Sequence, residues 1–221
     1  MKYNVMLVVG AAGLAMSASA FAGPDWQEQG DAGKSISTAQ VTRGVTDINS
    51  ISGAFSTGFG LPDYEDLYLI RVLNPTTFRI QVNSSVGTVG LFLFNVTLGG
   101  EGFGLLGSVQ APDNLPNVLT PSSNDGSQAQ LSNPGVYAIA VTVPGWWPVS
   151  RTGNIFSFDG PEISGPDGPG GTNPLENWGG QPGPVGEYNI ELTGCGFVEV
   201  PAPGAALILG AGLVGMSRRR R

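Results

Sequence analysis

The sequence has no histidine and a single cysteine among its 221 residues. Without histidine, the chain lacks the commonest general base, the usual member of a catalytic triad and the commonest transition-metal ligand. Cys195 alone cannot form a disulfide within the chain, and it excludes a cysteine-rich zinc site. We therefore expect a protein that is not an enzyme and that holds neither a cofactor nor a resident metal.

Basic residues are also scarce away from the two ends of the chain. Residues 23–199 contain five basic residues against all 17 acidic ones, a net charge of −12. A surface without a basic patch cannot neutralise phosphates, so we expect no nucleic-acid partner.

Sustained runs of helix-forming residues are missing between the two ends. Glycine, with 35 residues, is about twice as frequent as in average globular proteins. Apolar residues nevertheless make up 41% of the chain, which is enough for a core. This combination is typical of short strands joined by many turns.

The N-terminal residues 1–22 have the pattern of a secretory signal peptide. Lys2 precedes an apolar run from Val5 to Met16, and Ala20 and Ala22 supply the small residues of a cleavage site. We predict export across the inner membrane and a mature chain that begins at Gly23.

The C-terminal residues 200–221 combine a Pro-x-Pro motif, an apolar run and four terminal arginines. The motif is Val200-Pro201-Ala202-Pro203, and the arginines are Arg218, Arg219, Arg220 and Arg221. Counted from Val200, the 17 residues before Ser217 would span roughly 26 Å as a helix, near the lower limit for crossing a bilayer. The arginines would stop the tail at the cytoplasmic face.

This tail resembles the PEP-CTERM sorting signal of exosortase-bearing Gram-negative bacteria, although Ala202 stands where that motif has glutamate. The resemblance implies two partners, the export machinery and a sorting enzyme that cleaves at the motif. It also implies transient anchoring in the inner membrane, with a final location in the envelope, at the cell surface or outside the cell. The alternative is a plain C-terminal anchor that stays attached.

Between the two ends we predict an extended lead-in over residues 23–44 and a β-domain over residues 45–199. Five segments have the alternating or continuous apolar pattern of strands. They are Asp66–Val72, Phe78–Val82, Leu91–Phe94, Val136–Val143 and Glu187–Leu192. Their spacing predicts an all-β fold, an antiparallel, jelly-roll-like β-sandwich.

The same segments resemble the bacterial pre-peptidase C-terminal domain, a small β-sandwich appended to many secreted proteins. The matching pieces are Asp66-Leu67-Tyr68, Leu91–Phe94, Pro134-Gly135-Val136-Tyr137 and Glu187-Tyr188. The resemblance implies an accessory module rather than a catalytic domain.

Residues 144–186 form a long insertion between two predicted strands, with 11 glycines and 8 prolines among 43 residues. It carries Trp146, Trp147 and Trp178. These rings could stack on sugars as a ligand face, or they could fold back to cover the sandwich, which is the role that we favour.

Two further patterns suggest ligand sites. Asp63, Glu65 and Asp66 are clustered as Ca²⁺ ligands would be, but acidic residues in a turn are more often only solvated. Residues 102–107 match the dinucleotide-binding glycine pattern, but Pro112 and Pro116 exclude the helix that such a site needs.

The sequence therefore indicates a non-catalytic exported protein of the cell surface or extracellular matrix. The alternative function is a carbohydrate-binding module that uses the tryptophan-bearing insertion, with extracellular polysaccharide as its partner.

Overall fold

The computed structural model describes residues 25–56, 62–109 and 116–198. Within these ranges the chain is all-β: it forms 14 strands and one 3₁₀ turn (Pro75–Thr77), and no α-helix. The strands are β1 (Trp26–Gln27), β2 (Gln40–Val41), β3 (Ser50–Ala54), β4 (Glu65–Val72), β5 (Arg79–Ser84), β6 (Gly90–Val96), β7 (Gly102–Ser108), β8 (Asn117–Leu119), β9 (Gly135–Thr142), β10 (Trp146–Ser150), β11 (Gly153–Asn154), β12 (Asn177–Gly180), β13 (Glu187–Thr193) and β14 (Cys195–Gly196).

The strands form two main sheets and one small sheet. The first sheet has the order β1-β3-β13-β5-β8, and the second has the order β14-β4-β9-β6-β7, with β2 beside β4. The small sheet, β11-β10-β12, lies within the insertion at residues 144–186. All five predicted strand segments are confirmed, with boundaries that shift by one to a few residues.

The main hydrophobic core contains residues from both main sheets. Successive side chains of a strand point to opposite faces of the sheet, so every second one points into this core. Phe78, Ile80 and Val82 do so, as the sequence predicted. Tyr188 and Ile190 on β13 are buried in the same cluster. The all-β architecture is thus consistent with a β-sandwich.

A second hydrophobic cluster lies on the other face of the second sheet. Phe92 and Phe94 of β6 pack there with Ile155, Phe156 and Trp178 of the insertion. Because β6 contributes to both clusters, Leu91–Phe94 is fully buried on both faces, as the continuous apolar run predicted.

The lead-in is part of the fold over residues 25–44. β1 pairs in parallel with β3, and β2 pairs in parallel with β4. Both main sheets are therefore mixed, which corrects the expectation of a purely antiparallel fold. The main strands pair antiparallel, and only these two short segments, which arrive from the N-terminal side, run the other way.

Glycines of β7 allow the lead-in and the insertion to approach the second sheet closely. A Cβ atom at Gly102 would clash with Ile36, and one at Gly104 would clash with Ile155. The glycine pattern of residues 102–107 therefore belongs to a strand that needs small side chains, and no helix follows the pattern through residue 109.

Candidate functional site

Three carboxylates from distant parts of the sequence meet near the start of β4. One oxygen from each of Glu28, Asp63 and Asp66 lies within 4.8 Å of the others. Glu28 follows β1, and its amide donates to Ser52 O (2.9 Å), which extends the pairing of β1 with β3. Asp63 precedes β4 and exchanges two backbone hydrogen bonds with Ser56.

The strand alternation of β4 decides which acidic side chains meet. Asp66 lies on the same face as Tyr68 and Ile70, which belong to the main core, so its carboxylate is fully buried. Glu65 lies on the opposite face, where its Oε2 accepts a 2.6 Å hydrogen bond from Trp146 Nε1. The structure thus brings together Asp63 and Asp66 of the predicted trio, and Glu28 takes the third place in the group.

Asp66 is linked to the first sheet by a chain of hydrogen bonds. Tyr188 of β13 donates from its hydroxyl to Asp66 Oδ2 (2.7 Å). The Tyr188 hydroxyl is also 2.6 Å from the hydroxyl of Tyr68. The other carboxylate oxygen, Asp66 Oδ1, is buried and has no hydrogen-bond partner within residues 25–56, 62–109 and 116–198.

Burial and mutual repulsion raise the pKa values of this group. Burial, followed by the charges of Asp63 and Glu28, raises the pKa of Asp66 to about 9. Burial, followed by the charges of Asp31, Glu28 and Glu65, raises the pKa of Asp63 to about 7. Burial also raises the pKa of Glu28, although the amide of Ala54 donates to its Oε2 (2.9 Å) and favours the ionised form. Near neutral pH the Asp66 carboxyl therefore keeps its proton and Asp63 is partly protonated, so the group does not carry its full negative charge.

An open pocket of about 400 Å³ lies beside Asp63. Asp31, Asp63 and Glu65 line it together with Lys34. A small solute can thus reach the edge of the carboxylate group from solvent.

The three tryptophans of the insertion contribute to packing rather than to one open face. Trp178 is 4% exposed, and its Nε1 donates to Lys34 O of the lead-in (2.7 Å). Trp146 packs edge-on against Tyr64, with ring centroids 5.6 Å apart. Trp147 is half-buried and packs against Phe158, with ring centroids 5.7 Å apart.

Several predicted residues lie outside the described ranges. These are the signal-cleavage residues Ala20, Ala22 and Gly23, the motif Val200 to Pro203, and Arg218 to Arg221. In the part of the chain that the structure describes, no helix has the length and apolar character that a membrane crossing requires.

Glu28 is the one member of the carboxylate group that the sequence did not point to. Most of the lead-in and β3 separate it from Asp63 in the sequence, and no local pattern connects the two. Only the parallel pairing of β1 with β3 brings Glu28 to the start of β4. The chain matches no known family model and no curated protein.

Proposed function

We propose that this chain is an exported, non-catalytic protein of the cell surface or extracellular matrix, with a β-domain that serves as a structural or interaction module. The observation that carries this proposal is the packing of the insertion. Its aromatic residues cover the face of the second sheet that points away from the main core. There Phe156 and Trp178 contact Phe92 and Phe94. A long insertion used in this way favours scaffolding over catalysis.

The finer architecture that we propose is a jelly-roll-like β-sandwich of the pre-peptidase C-terminal kind. In support, the main core draws Tyr68 and Ile139 from the second sheet and Ile80 and Ile190 from the first. The Tyr188–Asp66 hydrogen bond also joins the two sheets at their interior.

We further propose that residues 1–22 direct export and that residues 200–221 act as a sorting tail of the PEP-CTERM kind. The order of charge, apolar run and small residues supports the first assignment. For the second, the Pro-x-Pro motif follows closely on the fold, since Val198 donates its amide to Thr42 O (3.2 Å) two residues before Val200.

Intact-mass measurement and N-terminal sequencing of the protein from envelope fractions test this proposal. We expect a chain that begins at Gly23 and lacks Arg218 to Arg221. Changing the four arginines to serine should reduce retention in the inner membrane, because the orienting charge is lost. An intact Met1 would contradict export, and a mature mass that includes the arginines would leave a plain anchor.

Carbohydrate binding is the second candidate function, and one observation favours it. Trp147 and Phe158 are both half-buried and form an adjacent aromatic pair on the insertion. Sugar rings stack on aromatic faces, and both of these rings are partly open to solvent. Electrophoresis in gels that contain polysaccharide tests this candidate: retardation of the wild type that Trp147→Ala abolishes would support binding. Equal mobility with and without polysaccharide would leave the scaffolding role.

A further inference from the structure

We propose that Glu28, Asp63 and Asp66 bind a divalent cation, Ca²⁺, that fastens the lead-in to both main sheets. This site goes beyond the proposed scaffolding function, and its test does not depend on where the protein is exported.

The spacing of the three carboxylates fits a single ion. Ca²⁺ takes oxygen ligands at about 2.3–2.6 Å, so two oxygens bound to the same ion lie at most about 5 Å apart. The cluster oxygens of Glu28, Asp63 and Asp66 all lie within 4.8 Å of one another. One ion placed among them can therefore contact all three residues.

The free oxygen of Asp66 is the second, independent sign of a ligand. Asp66 is 0% exposed, and no residue that the structure describes donates a hydrogen bond to its Oδ1. Because Tyr188 occupies Oδ2, Oδ1 is the atom left for a ligand. A buried carboxylate oxygen without a partner is costly, and a bound cation would remove that cost.

The surroundings of the group favour a cation further. Asp31 and Glu65 add negative charge close to Asp63. Lys34 lines the adjacent pocket, and its charge partly offsets the rise that burial causes in the pKa of Glu65, which is not one of the three clustered residues. In their ionised forms the three clustered carboxylates repel one another, and a divalent ion would displace their protons and turn that repulsion into attraction.

The donor set selects the kind of ion. The chain has no histidine, and Cys195 is buried against Thr193, so the site offers oxygen alone. Hard cations prefer oxygen ligands, and Ca²⁺ tolerates irregular sets of six to eight that include bidentate carboxylates and water. Mg²⁺ demands near-ideal octahedral geometry, which three carboxylates from separate segments are less suited to provide.

The site would couple cation binding to the packing of the lead-in. Glu28 follows β1, which belongs to the first sheet, and Asp66 lies in β4 of the second sheet. The ion would therefore join the N-terminal segment to both sheets. Glu28 is already oriented toward the site, because Ala54 N of β3 donates to its Oε2.

Titration of the metal-stripped mature protein with CaCl₂ tests the proposal, with calorimetric binding and thermal unfolding as readouts. We expect a single site with Kd on the order of 10⁻⁴–10⁻³ M and a melting temperature that rises with Ca²⁺ concentration. Glu28→Gln should weaken binding about tenfold or more, because ligand charge sets the affinity. Glu187→Gln, an exposed carboxylate on β13, is the matched control and should bind as the wild type does.

Asp66→Asn provides the sharper variant. It keeps the shape of the side chain and removes the carboxyl group that would bind the ion once ionised, so the variant should fold without Ca²⁺ and should lose the Ca²⁺-dependent rise in melting temperature. If this variant fails to fold, Glu28→Gln still tests the site, because Glu28 is only half-buried.

Terbium luminescence gives a readout of position as well as of binding. Tb³⁺ replaces Ca²⁺ at oxygen sites and emits when a nearby tyrosine or tryptophan transfers energy to it. The Tyr188 hydroxyl is 2.7 Å from Asp66 Oδ2, so excitation of the protein should sensitise bound Tb³⁺, and added Ca²⁺ should quench the emission. The proposal is overturned by the absence of a Ca²⁺-dependent change at millimolar Ca²⁺, by equal binding in Asp66→Asn, or by binding of Mg²⁺ without binding of Ca²⁺.

Discussion

Ile139 lies at a fully buried position of the second sheet. It lies in the middle of β9, directly opposite Tyr68 of β4 and Leu93 of β6, and it is 0% exposed. Its side chain points into the main core. No water or polar partner can reach it without disruption of both neighbouring strands.

Ile139→Asp is therefore expected to unfold the domain. A carboxylate at this position would be buried without a partner, which costs more than the margin by which small domains are folded. Ile139→Val is the matched control and should cost about 0.5–1.5 kcal/mol. Circular dichroism and thermal melting measure both, and a folded Ile139→Asp protein would contradict the position of the core.

Cys195 is a second residue whose environment makes a clear prediction. It is 1% exposed on β14, and burial, with a smaller effect from Asp47, raises the pKa of its thiol to about 12. Since the thiolate is the reactive form, a disulfide-exchange reagent at pH 8 should react very slowly with the native protein. The same reagent should react fully in urea, and rapid reaction of the native protein would contradict the buried position.

At the scale of elements, the insertion forms a third layer of the molecule. β10 and β12 pair over residues 146–149 and 177–180, and their aromatic side chains rest on β6. Trp178 is the centre of this layer: it packs against Phe92 and Phe94, and its Nε1 is bound by the lead-in.

We expect Trp178→Ala to reduce the free energy of unfolding by about 3–5 kcal/mol, as other buried aromatic truncations do. Trp147→Ala should cost clearly less, because Trp147 is half-buried. Urea denaturation monitored by far-ultraviolet circular dichroism compares the two variants. Equal losses would mean that the two rings share the covering role.

The elements differ in how far the sequence predicts them. The five central strands were predicted correctly because β4, β5, β6, β9 and β13 carry unbroken apolar alternation or continuous apolar runs, which are local signals. β1, β2 and β11 have two residues each, which is too short for an alternating apolar pattern to show. Their place in the fold depends on pairing with distant strands.

The candidate site shows the same division between local and distant signals. Asp63 and Asp66 stand close together in sequence, and their role as possible ligands was visible there. The side chains of Glu65 and Asp66 point to opposite faces of the sheet, which follows from strand alternation once β4 is known to begin at Glu65. Glu28 could not be predicted, because only a long-range parallel pairing brings it to the site.

At the scale of the whole molecule, the lead-in holds the layers together. Ala32 belongs to the main core. Ile36 and Ala39 belong to the second hydrophobic cluster, on the other face of the second sheet. Lys34 O accepts the hydrogen bond of Trp178, so the same segment also anchors the insertion. Residues 25–44 therefore contact both main sheets and the third layer.

A variant that begins at Val45 should consequently lose stability although it keeps every long strand. Ile36 alone, 9% exposed in the intact fold, should contribute about 1.5–3 kcal/mol by its burial. Removal of the segment would also leave β4 without β2 and the second hydrophobic cluster without Ile36 and Ala39. We expect a lower melting temperature and increased binding of an apolar fluorescent dye.

Two single substitutions separate the loss of packing from the loss of chain length. Ile36→Ala should reproduce a large part of the destabilisation, whereas Ser37→Ala, at the exposed neighbouring position, should leave the melting temperature nearly unchanged. If the truncated protein melted like the intact one and bound no dye, the lead-in would be an appendage, and the two sheets with the insertion would be stable without it. We expect the opposite, because the segment contacts all three layers through buried side chains and the Trp178 hydrogen bond.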